Sequence, residues 1–430
     1  MPPRFATAVA RARTRLRRKS IFDPVHGTIV LEGAALDLVG HPAFQRLWGI
    51  RQTGFAHLVF PGANHTRLEH SLGVYWVAHQ LAESLHLPAD DAAGIAAGGL
   101  LHDTGHPPFS HSLDGPMREV LGRGHESISR DWILGTPGQG VDVPGFDRIL
   151  RDHGIDPGFV ADLVDPPAGR ERHRFLRTLL HGAIDADRID YLQRDAHYTG
   201  VAHGAIDASR LMETAREWHG RLVFAEKGRS AVEGFLVGRS LMYASVYYHK
   251  TVRAAEMMAQ GAVERMPDFP EAARPLLGGT DGDLIARLRS TGGVSAELVR
   301  GLLERRLYKR ATGLRSLEPR VRRRWRVFAR TPPRRRSLED LLAAHLGGTP
   351  GQVLVDLAGL DSREPAGGDW MDVGILDGNR VEHPFRPPSL WAVFAGRPPA
   401  PWPVSVYVHR SLRSKAERRL PALLQDGPAS

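Results

Sequence analysis

The 430-residue chain contains no cysteine. This excludes disulfide frameworks, thiolate zinc sites and cysteine nucleophiles. Any metal site must be built from His, Asp and Glu, and 21 histidines are available. Long apolar runs are missing too. The longest, Ala92–Leu101, is well short of the roughly 18 residues of a membrane span, so no membrane partner is expected. The basic start, Met1–Ser20, has no apolar secretory core. It reads as an untethered arm, with an organelle transit peptide as the other reading, and the expected setting is the cytoplasm. Lysine is scarce: Lys19, Lys227, Lys250, Lys309 and Lys415 stand against 52 arginines. The net charge of +9 is compatible with an anionic partner. A GC-rich genome accounts for the arginine excess as a whole, while individual guanidinium forks grip phosphate in pairs of bonds.

What is present is ordinary globular composition, with 42% apolar and 24% charged residues, and it excludes wholesale disorder. We read a basic arm at 1–19, a main domain at 20–265 and a smaller C-terminal lobe at 266–425. Ile21–Val30 reads as a hairpin or extended segment turning at His26-Gly27. From His41 to about Gln260 the spacing is mostly helical, with helices expected over Arg67–Leu85, Asp91–Asp103, Arg174–Asp195 and Glu233–Gln260. The Asp91–Asp103 segment is small and apolar on most sides, as in a buried helix. Pro267–Gly282 reads as a linker, followed by helix over Asp283–Arg310. Gln352–Val373 and Pro403–Val408 read as strands, the second alternating Val404, Val406 and Val408 with Ser405 and Tyr407. The expected fold is mainly α, a helical core with a smaller α+β lobe.

The densest chemical signal is LHDTGHPPFSH, which puts His102, Asp103, His106 and His111 within ten residues at a helix end. An adjacent His-Asp pair offers a cation one nitrogen and one oxygen. Without thiolate, that suits Mn, Fe, Zn or Ni, and Mg less well. Upstream, Arg67 and His70 are three apart and share a helix face. Downstream, Asp187, Tyr191 and Asp195 form a stripe at spacing four, and His125 lies in GHES. Taken singly, each feature has an ordinary structural explanation. The stripe, for one, could be a solvated face paired with Arg188 and Arg194. The recurrence of matching residues in three separate segments is what points to one site.

The order H…HD…D, over His70, His102-Asp103 and Asp187, resembles the HD metal-dependent phosphohydrolase superfamily. FDPVHGTIVL, HPAFQRLWGIRQTG, VFPGANHTRLEHSLGV, GLLHDTGHPPFSHSLDG, GHES and DADRIDYLQRDAHYTGV are together similar to the deoxynucleoside triphosphate triphosphohydrolases. That family includes bacterial dNTPases and the animal SAM-and-HD-domain enzyme. No SAM domain is expected here. The resemblance implies a divalent metal on His70, His102, Asp103 and Asp187. It implies phosphate contact and proton transfer by His106, His111 and His125, and a triphosphate grip by Arg67, Arg188 and Arg239. It places Tyr191 against the deoxyribose, Gln52 and Asp195 at the 3′-hydroxyl, and His249 with Lys250 near the nucleotide. It also implies a homo-oligomer. Thr53, Tyr243, Gly40 and Trp48 depart from the residues that some relatives carry at the sugar, the base and a regulatory nucleotide site.

Val321–Arg336 holds eight arginines with Trp325 and Phe328 between them. That pattern is compatible with a nucleic-acid contact through stacking and backbone charge, with a solvated lobe edge or with a subunit-contact loop, and the family resemblance also implies a place near an effector phosphate. Three functions follow: a dNTP triphosphohydrolase, an HD phosphohydrolase of another nucleotide, or a nucleic-acid-binding regulator with a vestigial site.

Overall fold

A computed structural model describes residues 18–136, 144–167, 173–361, 373–384, 402–425 and 427. Almost all of the basic arm lies outside them, as do residues 362–372 of the expected Gln352–Val373 strand segment. The protein is mainly helical with small sheets, as expected. Among the described residues no helix is long and apolar enough to cross a membrane.

The chain opens on an antiparallel hairpin, Arg18–Asp23 with Gly27–Glu32, whose turn falls at the expected place. Behind it helices Arg67–Ser84 and Ala89–Leu101 pack against each other. Helix Ala89–Leu101 is buried from Gly94 to Leu101. Gly99 allows the approach, because a Cβ there would meet Ala78 Cβ and the Val74 carbonyl at 3.2 Å. Two long helices expected from apolar spacing are in fact broken. Arg174–Asp195 is two helices, Arg174–His181 and Ala186–Thr199. The second starts afresh because the Asp185 side chain caps it by accepting from Arg188 N–H. Glu233–Gln260 is likewise split. A helix ends at Met242, a wider turn follows over Tyr243–Tyr247, and Lys250–Glu264 begins under a His249 cap. A short hairpin, Ala215–Trp218 with Arg221–Ala225, interrupts the mostly helical stretch.

Pro267–Gly282 is not a spacer. It forms a 3₁₀ turn over Glu271–Gly278 and enters helix Asp281–Thr291. A second helix ends at Leu303 and strand Lys309–Leu314 follows, so Asp283–Arg310 is helical only in part. One apolar cluster joins Phe55, Phe109 and Leu113 to Met258, Leu284, Leu298, Leu354 and Tyr407. Residues from both sides of position 265 therefore share a core.

Strand Val404–Val408 lies between Lys309–Leu314 and Val353–Asp356 and is buried at every residue, with Val404, Val406 and Val408 in one apolar cluster and Tyr407 in another. A central strand covered on both sides buries Ser405 and Tyr407 as well. The stacking reading of the arginine-rich segment also fails. Pro319–Arg330 and Pro332–His345 are helices, and Trp325 (1% exposed) and Phe328 point into the lobe core with Leu342, Val355 and Leu420. Two of its arginines are internal ties. Buried Arg335 bridges Glu264 and Glu339, and Arg336 forks onto Glu119 at 2.8 and 2.9 Å.

Candidate metal centre and phosphate pocket

Three helix ends converge on a cavity of about 600 Å³. Helix Arg67–Ser84 starts under a reciprocal Thr66–Glu69 capping box, which fixes Arg67 and His70 in its first turn. Helix Ala89–Leu101 delivers His102 as its last cap and Asp103 just beyond. Helix Ala186–Thr199 presents Asp187 in its first turn.

His70 Nε2 lies 3.0 Å and His102 Nε2 3.8 Å from Asp187 Oδ1. Each ring is held from behind. His70 Nδ1–H donates to Asp190 Oδ2 (2.7 Å), and His102 Nδ1–H to the Gly99 carbonyl (2.8 Å). The Nε2 atoms are thereby left facing the centre, buried and without a hydrogen-bond partner. That is the orientation metal-ligating imidazoles take, tautomer and ring being set by the outer bond. Asp103 closes the group, with Oδ1 3.3 Å from His102 Nε2 and Oδ2 3.5 Å from His70 Nε2; Oδ2 also receives Arg67 Nη1. A divalent cation with mixed nitrogen and oxygen preference fits this donor set.

The electrostatics favour positive charge at this point. Burial alone would lower the His70 pKa, but Asp187 and Asp190 outweigh it and lift it to about 10. Burial likewise works against ionised Asp103 and Asp187. Arg67 and His102 nonetheless hold the first well below the usual carboxylate range, and His102 and His70 the second.

The three histidines assigned to the phosphates also come together. The His106 and His125 rings stack at 3.6 Å, and His111 stands 4.8 and 5.6 Å from them. Burial lowers the pKa of both His106 and His125, which keeps them neutral. His106 Nδ1 is buried without a partner, while His106 Nε2 lies 3.3 Å from Asp103 Oδ1 and His125 Nδ1 3.5 Å from Glu126 Oε2. His111 is different: 65% of its side chain is exposed to the cavity, and its Nδ1 is 3.1 Å from Asp114 Oδ2.

Arg67, Arg188, Arg239, Gln52, Tyr191 and Asp195 all line the same cavity, as do the departing residues Thr53 and Tyr243. Gly40 and Trp48 line a separate cavity beside the hairpin. Arg188 is steadied by Asp185 and the Gly182 carbonyl, and Arg239 lies over the Tyr243 ring. Gln52 Oε1 is buried without a partner. The Asp187–Tyr191–Asp195 stripe faces the cavity, not solvent. Arg194 turns inward, fully buried, onto Asp190 and Asp23.

His249 is not brought to the site. It is not among the cavity-lining residues, its Nδ1 accepts from Thr251 N–H, and Tyr247 and Tyr248 stand in the wall in its place. Lys250 is outside as well. Three residues that sequence reasoning passed over belong to the arrangement. Asp190 holds His70, Asp114 holds His111, and Tyr247 donates to Asp195 Oδ2 at 2.6 Å. The helical spacing Asp187–Asp190 and His111–Asp114, three residues in each case, was the available signal.

Two family models match the chain. One described as the HD domain covers residues 67–195, and one described as the HD associated region covers 206–424. The chain is 36% identical over 258 residues to YwfO of Bacillus subtilis, covering 58% of this chain and 57% of that protein. It is 33% identical over 219 residues to the deoxynucleoside triphosphate triphosphohydrolase SAMHD1 of Homo sapiens, covering 43% and 34%. It spans about half the length of the curated relatives it matches first. A crystal structure of a phosphohydrolase from Bacteroides thetaiotaomicron superposes with a TM-score of 0.70 at 25% identity, covering 91% of this chain and all of that one.

Proposed function

Given that the chain belongs to the HD-domain phosphohydrolase family, we propose that it hydrolyses deoxynucleoside triphosphates to deoxynucleoside and inorganic triphosphate in a metal-dependent reaction. The observation that carries this reading is the pairing, in one cavity, of an imidazole–carboxylate centre with a second set of imidazoles and three arginines. His70, His102, Asp103 and Asp187 would hold the cation. When bound, it would supply Lewis-acid polarisation of a phosphoryl oxygen and make an attacking water more acidic. The remaining steps belong to the chain. Arg67, Arg188 and Arg239 offset the triphosphate charge. Neutral His106 and His125 donate N–H to phosphate oxygens. His111, oriented by Asp114, gives a proton to the 5′-oxygen of the departing deoxynucleoside as its bond to the α-phosphorus breaks, and the attacked phosphorus leaves in the triphosphate. Tyr191 packs on the sugar, and Gln52 offers an open acceptor to its hydroxyl.

One observation favours the second reading, another nucleotide as substrate. Both Asp195 oxygens are already engaged, by His65 Nε2 at 2.7 Å and by Tyr247. A 3′-hydroxyl would have to share them.

The test is incubation of the purified protein and Mn²⁺ with each dNTP and NTP, followed by product separation. Triphosphate release supports the proposal. Orthophosphate or pyrophosphate release supports the second reading. No turnover with salt-sensitive DNA binding would make the protein a regulator. A homo-oligomer is part of the proposal, checked by light scattering.

A further inference from the structure

The turn that carries the histidines into the cavity is held by a residue far away in sequence. Phe109 and Ser110 have φ of +56° and +53°. Two successive non-glycine residues in the left-handed region are strained, and such a turn persists only where its surroundings over-determine it. Three sets of bonds do so here. Ser110 Oγ accepts from Arg67 Nε and donates to the Arg51 carbonyl, each at 2.7 Å. Arg46 donates to the carbonyls of Thr104 and His106 at 2.7 Å and to that of Gly279 at 2.8 Å. The third tie is Asp281, 5% exposed at the head of helix Asp281–Thr291. Its Oδ1 accepts from Phe109 N–H at 2.7 Å, and its Oδ2 from Arg51 N–H at 3.1 Å.

One buried carboxylate thus ties together two segments that meet at the cavity, 51–54 with Gln52 and 106–111 with two of the histidines. The fit on both sides is close. A Cβ on Gly49 would come 2.5 Å from Thr280 Cγ2, and one on Gly54 would come 2.7 Å from Ser112 Oγ. Asp281 lies in the HD-associated match and outside the HD match. None of the residues placed at the metal touches it.

We propose that Asp281 is a positioning residue: through two backbone amides it fixes the histidine-bearing turn against the Gln52 segment, so that the associated region sets the geometry of the phosphate-binding half of the cavity. The kinetic arm of this inference rests on the proposed triphosphohydrolase reading; its exchange arm does not. In Asp281→Asn the shape is kept, but the amide NH₂ replaces one acceptor and faces an N–H. Misplacing reacting groups by about 1 Å can cost on the order of 100-fold in rate. The expected result is a kcat lower by roughly 10- to 100-fold, with KM and bound-metal content little changed.

Hydrogen–deuterium exchange on the same variant reads the tie without a substrate. Peptides spanning 105–113 should exchange at least about tenfold faster, since opening free energies are local, while the melting temperature and exchange in helix Ala186–Thr199 stay near wild type. Arg51→Ala removes the side-chain ion pair to Asp281 (3.5 Å) but leaves both amide bonds, and should behave as wild type in both assays. Unchanged exchange at 105–113 in Asp281→Asn overturns the proposal. So does a rise spread evenly over the chain, or an Arg51→Ala variant that reproduces the loss. A wild-type protein that turns over no dNTP counts against the function reading alone, and the exchange result still decides this one.

Discussion

The two histidine clusters of the cavity share residue types and are built in opposite ways. At His70 and His102 each ring has its back nitrogen fixed by an acceptor, and only the front nitrogen is open. At His106 and His125 the contacts are looser, 3.3 Å from His106 Nε2 to Asp103 Oδ1 and 3.5 Å from His125 Nδ1 to Glu126 Oε2, and the third ring, His111, stands in the open cavity. Ligands to a small cation must be preset to within fractions of an ångström. Groups that meet a phosphate need open donors and a fixed backbone instead. The difference follows from what supports each cluster. Asp190, buried among His26, His70 and Arg194, locks the first. The backbone turn at Phe109–Ser110 carries the second.

The sharpest way to break the comparison is Asp187→Ala. It removes an oxygen from the first cluster only, so turnover should fall to background and metal content should drop with little change in melting temperature. Retained activity would end the site assignment. His111→Ala comes next. Loss of a general acid costs typically 10²–10⁴-fold, here expected in kcat, with metal content intact because His111 stands in the other cluster. Asp190→Asn should act the other way. Loss of an outer partner weakens metal affinity by about 10- to 100-fold, so a metal titration should recover much of the turnover at saturation. Activity of this variant that stays low in excess metal would mean the two clusters are not separable in this way.

The residues of the candidate metal centre could be picked out because each lies in a local pattern: an adjacent His-Asp pair, a helix face shared by Arg67 and His70, and a first-turn Asp187. Their supports were not. Asp190 meets His26 across 164 residues, and Asp281 meets Phe109 across 172; no local spacing records such pairs. His249 shows the converse failure. The family resemblance of YYHK placed it near the nucleotide, yet it lies outside the cavity wall and caps a helix. The apolar period that runs through Gly182–Asp185 hid a break that a capping aspartate makes. In the C-terminal lobe the abundance of arginine masked a plain amphipathic helix. Trp325 and Phe328, three apart, are its inner face, and Arg323 and Arg326 its outer one.

The smallest expected effect probes the softer cluster from its edge. Asp114 holds His111 through one hydrogen bond at a partly exposed position, with 28% of its side chain accessible. Its other oxygen is 4.0 Å from His125 Nδ1, too far for a second bond. A single hydrogen bond of this kind contributes about 0.5–1.5 kcal/mol, which corresponds to roughly a 2- to 10-fold change. Asp114→Asn keeps the shape and can still accept through its carbonyl oxygen. The expected result is therefore a kcat lower by about 2- to 10-fold, with KM and metal content unchanged. A loss as large as that of His111→Ala would show that the aspartate acts on the substrate directly. The second cluster would then be a carboxylate–imidazole unit, closer in kind to the first than its looser contacts imply.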